Sequence, residues 1–202
     1  MADTLGRADV GLRADRARQR RTVFQDLAEL VGTGQRFRTI YADPPWSYRN
    51  KSSRAAARLH YATMSLGEIC ALPVGQLAAD NAHLHLWATT PLLEDALRVI
   101  AAWGFQYKSC FVWAKDKLGL GNYWRVSHEL LLLGVRGKLR FRDRTVPSWL
   151  LCPRTVHSRK PEAVRLLIER VSEPPYLELF ARREVHAPGW TVFGNQIERR
   201  LF

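Results

Sequence analysis

The stretch from Ile40 to Asn50 reads IYADPPWSYRN. An apolar run ends in an acid, two prolines and a tryptophan. Ahead of it, Arg38 to Ala42 reads as a buried strand. Asp43 then stands at the carboxyl end of that strand, the place where open α/β sheets bind ligands. Pro44 and Pro45 fix φ and carry no N–H, so their carbonyls are rigidly aimed and free to accept hydrogen bonds. Trp46 adds a flat apolar face. These residues make a rigid cup with acceptors and a stacking platform, or, on turn chemistry alone, a strand-ending turn beside a core tryptophan.

Outward from this point, strands and helices alternate. Residues 11–31 suit an amphipathic helix with Leu12, Phe24, Leu27, Leu30 and Val31 on its apolar side. Residues 47–59 carry Arg49, Lys51, Arg54 and Arg58 without periodicity and read as a basic mobile loop. Ser65 and Glu68 form a capping box that opens a short helix. HLHLWAT (83–89) is a strand, after which Thr90 caps a helix with Pro91 at its first position and Gly104 at its end. YKSCFVWAK (107–115) and HELLLLGVRG (128–137) are strands separated by a Gly-rich loop, GLGNYWRVSHE. Lys160-Pro161-Glu162 opens a helix to about Val171, and YLELFA and WTVFG close the chain as strands. This alternation predicts an α/β fold with a mostly parallel sheet. The division expected is a basic helical extension over 1–33 and one domain over 34–202.

The chain has 202 residues, 47% hydrophobic, enough for one substantial core. No apolar run is long enough for a membrane span, and no secretory h-region is present. Cys70, Cys110 and Cys152 lie far apart, which speaks against a zinc site or a disulfide framework and for a reducing cytoplasm. The net charge of +12 fits a polyanionic partner such as nucleic acid, or simply a solvated basic surface. Between Gly134 and Thr145, Arg136, Lys138, Arg140, Arg142 and Arg144 recur at every second position. Period-2 geometry puts such cations on one face, with Leu139 and Phe141 turned inward. The pattern serves a phosphate-contacting ribbon or a charge-protected edge strand.

The guest that suits the cup is a planar ring with an exocyclic NH₂. The Asp43 carboxylate and the Pro44 carbonyl can each take one amine hydrogen, which draws the nitrogen lone pair out of conjugation and leaves it a nucleophile. That is catalysis by positioning and electrostatics.

The tetrapeptide resembles the signature of the amino methyltransferases. The wider pattern (YATMSLGEI, HLHLWATT, LLLLGVRG, HSRKPE, LELFARR, GWTVFGNQ) resembles the MT-A70-like adenine-N6 methyltransferases over about Phe37 to Ile197. The resemblance implies a single-domain Rossmann-like methyltransferase fold with helices on both faces, using S-adenosylmethionine, with the catalytic motif ahead of the cofactor strand. It implies Asp43, Pro44, Pro45 and Trp46 as the catalytic set. Lys160 would meet the cofactor carboxylate, Glu178 and Arg182 would flank its strand, and Asn195 and Gln196 would bind ribose hydroxyls. Asp26 would contact its adenine. On the substrate side it implies Tyr61 and Glu129. His128, a base contact or a simple strand-edge histidine, joins Arg49, Lys51 and the cations Lys138, Arg140, Arg142 and Arg144 as the remaining candidate nucleic-acid contacts. Arg183-Glu184-Val185 replaces a family Pro-His-Asn, which removes one polar cofactor contact.

A base inside a duplex cannot reach such a cup and must be flipped or single-stranded. The implied substrate is DNA, with RNA as the alternative, and a scaffold subunit without activity as a third reading. A chain this compact leaves target recognition to short loops, to a second copy or to a partner subunit.

Overall fold

FRTIYA at 37–42 forms β1 (Phe37–Ala42), a strand with neighbours on both edges whose side chains are almost wholly buried because both faces of the sheet are covered. The computed structural model of the chain describes residues 27–47, 63–119, 123–154, 160–181 and 187–194. The remaining strands are β2 (Ala78–Ala88), β3 (Gln106–Ala114), β4 (His128–Arg136), β5 (Trp149–Leu151), β6 (Tyr176–Leu179) and β7 (Trp190–Phe193). They make one seven-stranded sheet in the order β5-β3-β4-β2-β1-β6-β7. Pairings β1–β2, β1–β6, β3–β5 and β6–β7 are parallel, whereas β4 runs antiparallel to both β2 and β3. The sheet is thus mixed but mostly parallel, as the alternation predicts.

Helices cover both faces. α1 (Leu66–Cys70), α2 (Val74–Leu77) and α3 (Leu93–Ala102) set Ile69, Leu77, Val99 and Ile100 against Ile40, Leu84, Leu86 and Leu177 in the main core. α4 (Glu162–Val171) sets Val164 and Ile168 against Tyr41, Trp87, Trp113 and Leu131 on the opposite face. Residues 27–32 are helical, and fully buried Leu27 joins the main core with Leu30 and Val31 packed against it.

Local signals act as their chemistry requires. Ser65 and Glu68 form the reciprocal capping box of α1. Gly104, at φ 80°, ends α3: its N–H reaches the Ala101 carbonyl and the Phe105 N–H reaches Ile100, a Schellman closure. The expected start of that helix is corrected. Thr89, not Thr90, is the cap residue, and the first turn is a 3₁₀ helix at Thr90–Leu92, closed by Leu92 N–H on the Thr89 carbonyl, before α3 begins at Leu93. The strand expected at 83–89 begins at Ala78, and α2 and β5 are additions to the sequence reading. On β2, His83 and His85 are buried and share the Ser172 hydroxyl at 2.9 Å each, which pays for two imidazoles inside the protein. Burial drives His85 down to about 3, so it is neutral.

Among the described residues, no helix is long and apolar enough to cross a membrane.

Candidate active site

The chain moves from β1 to β2 on one side and returns to β6 on the other, so the strand order reverses between β1 and β6. That is the switch point at which α/β sheets open a crevice beyond their carboxyl ends. Asp43 follows β1 there. Because β4 is antiparallel, its first residues, His128 and Glu129, reach the same end. Lys115 follows β3, and Lys160 precedes α4.

These four arrivals make a line of alternating charge. Lys160 Nζ lies 2.8 Å from Asp43 Oδ2 and 3.2 Å from Glu129 Oε2, and Lys115 Nζ lies 2.5 Å from Glu129 Oε1. The side chains are largely buried, and in such surroundings ions persist only when paired. Burial opposes the charge on Lys160, but Asp43 and Glu129 outweigh it and raise its pKa. Burial likewise opposes the charge on Glu129, and Lys160 and Lys115 outweigh it, lowering its pKa. Tryptophan faces floor the line: Lys160 Nζ lies 5.3 Å from the Trp87 ring centre and Lys115 Nζ 4.5 Å from that of Trp113. Trp87 Nε1 donates to the Tyr41 hydroxyl at 2.8 Å, and burial pushes that phenol's pKa up.

The turn after β1 departs from the expected cup. The Pro44 carbonyl accepts the Trp46 N–H and the Pro45 carbonyl accepts the Met64 N–H, both at 2.8 Å. The prolyl carbonyls are therefore aimed but engaged, and what Pro44 offers a guest is its second lone pair. Trp46 is 8% exposed, packs in the main core and donates Nε1 to the Trp87 carbonyl at 3.0 Å. The open stacking platform is corrected to an anchoring side chain. Its ring is drawn inward because Trp46 bridges to Met64 and closes the turn onto the core.

Glu178 lies on β6 opposite Tyr41. Its Oε2 is buried and has no hydrogen-bond partner among the described residues. Burial pushes its pKa up to about 7, with Arg165 opposing and Asp43 adding to the rise. A buried carboxylate oxygen without a donor, at the carboxyl end of a sheet and within the field of Asp43, suits a hydroxyl-bearing ligand in the crevice.

Of the other expected residues, His128 Nε2 lies 3.2 Å from the Thr90 hydroxyl, at the mouth of the same end. Lys138, Arg140, Arg142 and Arg144 lie elsewhere. The Lys138 N–H is held by Asn81 near the start of β2, and the Arg142 N–H by the Val171 carbonyl at the end of α4. From Asn81 to the carboxyl end of β2 is about 20 Å at strand rise. Their alternation survives, with the four cations exposed and Leu139 and Phe141 partly buried. The segment is an irregular strap, not a strand, and Phe141 sits against His83 and His85. Arg136 is spent on the Gly75 carbonyl, at 2.6 Å. Asp26, Arg49, Lys51, Tyr61, Arg182, Asn195 and Gln196 lie outside the described residues.

Lys115, Tyr41, Trp87 and Trp113 were not picked out by the sequence reading. Lys115 had a signal: like Asp43, it is the polar residue directly after an apolar strand.

Against known proteins, the family model described as MT-A70 matches residues 37–196. The chain is 31% identical over 185 residues to the type II methyltransferase M.MunI of a Mycoplasma species, covering 81% of this chain and 78% of that protein. It is 32% identical to the human N(6)-adenine-specific methyltransferase METTL4, covering 85% of this chain and 39% of that protein. To an Arabidopsis thaliana N(6)-adenosine-methyltransferase MT-A70-like protein it is 28% identical, covering 84% of this chain and 24% of that protein. The chain thus spans most of the Mycoplasma protein and about a quarter of the plant one.

Proposed function

Because the chain belongs to the MT-A70 family, we propose that it transfers a methyl group from S-adenosylmethionine to the exocyclic N6 of adenine in DNA. The observation that carries this reading is the Asp43–Lys160–Glu129 cluster at the switch point, continuous with the anchored Pro44-Pro45-Trp46 turn.

The residues fit the cofactor. The Glu178 oxygen, without a hydrogen-bond partner among the described residues, would accept from ribose hydroxyls. Lys160 spends two of its three donors on Asp43 and Glu129, and the third would meet the cofactor's amino-acid carboxylate. Asp26, Arg182, Asn195 and Gln196 complete the set by family position. When bound, S-adenosylmethionine supplies an electrophilic methyl on a sulfonium.

The chain's own groups do the rest. Lys160 fixes the orientation of the Asp43 carboxylate. Asp43 and the second lone pair of the Pro44 carbonyl take the two amine hydrogens, and the N6 lone pair turns toward the methyl. The hydrogen bonds strengthen as positive charge builds on nitrogen, so the transition state gains more than the ground state. Asp43 is the first acceptor for the proton the methylated amine sheds. Lys115 holds Glu129 from behind and keeps its other oxygen on Lys160.

DNA is favoured over RNA by the likeness to the Mycoplasma type II methyltransferase, 78% of which the chain covers. Labelled S-adenosylmethionine offered with duplex DNA, single-stranded DNA and RNA separates the cases. Label in DNA supports the reading, label confined to RNA replaces it with the adenosine reaction, and label in none of them leaves the scaffold reading.

A further inference from the structure

The loop between β3 and β4 carries two adjacent aromatic side chains, Tyr123 and Trp124, that are 95% and 89% exposed. Aromatic rings this large are ordinarily withdrawn from water. The stem of the loop is built, not frayed. Lys115 N–H meets the Ser127 carbonyl at 2.7 Å, Gly119 N–H meets the Val126 carbonyl at 2.8 Å, and Arg125 Nε meets the Gly119 carbonyl at 2.8 Å. Glycine is required at 119, since a Cβ there would lie 2.3 Å from the Val126 oxygen. The stem rises directly from the charged cluster, because Lys115 and Glu129 are its two feet. Lys117 and Arg125 are exposed on it.

Exposed rings beside cations form the surface on which unpaired nucleobases stack while their phosphates are neutralised. A target base reaches Asp43 only out of its helix, which leaves its neighbours unstacked. We propose that Tyr123 and Trp124 are a stacking platform for nucleobases next to the methylated adenine, in single-stranded or locally opened nucleic acid. This rests on the nucleic-acid reading of the site and takes over the stacking role that buried Trp46 does not fill.

The test uses the full chain and a single-stranded oligodeoxyadenylate carrying one 2-aminopurine, whose fluorescence is quenched by stacking. Tyr123→Ala/Trp124→Ala is expected to weaken binding about five- to hundredfold and to abolish protein-dependent quenching. The slope of affinity against salt should stay unchanged, because no phosphate contact is lost. Tyr123→Phe/Trp124→Phe is expected to restore both signals, and S-adenosylmethionine affinity is expected to be equal in all three proteins. Equal oligonucleotide binding by wild type and the alanine variant overturns the proposal. So does a wild-type dimer that the alanine variant dissolves with binding per protomer intact, since the rings would then join two copies of the chain. Failure of the nucleic-acid reading itself looks different: the wild type binds no oligonucleotide.

Discussion

Glu178 is held at odds with its own ionisation. Its ordinary value of 4.5 becomes about 7 in the folded chain. The unfolded chain therefore releases this proton near 4.5 while the folded chain keeps it to about 7. Between those values the folded state binds more protons, so Glu178 erodes stability as pH rises. At 1.36 kcal/mol per unit, the loss amounts to about 3 kcal/mol above pH 7. Glu178→Gln is expected to be more stable than wild type by up to that amount at pH 8 and no more stable at pH 4, as read by urea unfolding. A difference that does not change with pH removes Glu178 from this account. If the carboxylate accepts from a bound ligand, as proposed, S-adenosylmethionine affinity in wild type should rise as pH passes through 7. The residues alone single out Asp43, at the end of an apolar strand, whereas Lys160, Glu129 and Glu178 are expected from the family resemblance. Neither reading could find the burial of the Glu178 oxygen or the Lys115–Glu129 pairing. Both depend on which strands become neighbours.

The turn from Asp43 to Trp46 and the strap from Gly137 to Ser148 show where reading by element holds and where it stops. Two prolines after a buried strand dictate a rigid turn, and the structure has one. Which way the indole faces is decided by Met64 and Trp87, which come together only on folding. Trp46→Ala removes a core side chain and is expected to cost about 3–5 kcal/mol of stability. Thermal and urea unfolding should show this before any change in substrate KM is seen. A variant as stable as wild type but with raised KM would restore the open platform. The strap's period-2 charges are legible in the sequence, but alternation marks which side faces water and not whether a strand pairs. Here the Arg142 N–H goes to the end of α4, so the strap crosses the molecule without joining the sheet. β5 is three residues long with Trp149 and Leu151 exposed, too short and too open to leave a pattern.

Across the molecule, charged groups gather at both ends of the sheet, as paired ions at one and as exposed strap cations at the other. The cluster that would hold the base is at one end, and the strap with Lys138, Arg140, Arg142 and Arg144 is near the other, about 20 Å away at strand rise. Nucleic acid anchored at Asp43 meets the strap only if it continues for about six nucleotides at 3.4 Å each. Changing the four strap cations to Gln is expected to flatten the slope of log affinity against log salt by roughly 0.7–0.9 per lost contact on long DNA, and to leave it unchanged on oligonucleotides too short to reach. An unchanged slope on long DNA means that the strap is only a solvated surface. The alternating order of strands and helices made the mostly parallel sheet legible. The antiparallel entry of β4, which brings Glu129 to Asp43, was not, because β4 turns back from β3 through a loop and inserts between β3 and β2, a pairing decided only on folding. The central claim, that the Asp43 turn methylates the exocyclic nitrogen of adenine, is tested most directly by nucleoside digestion and mass spectrometry of DNA treated with S-adenosylmethionine and either wild type or Asp43→Ala. Wild type should yield N6-methyldeoxyadenosine. The folded variant should yield at least about a hundredfold less, as expected when a hydrogen bond made to the developing charge is lost. Methylation on cytosine, or turnover by Asp43→Ala within tenfold of wild type, would contradict the account.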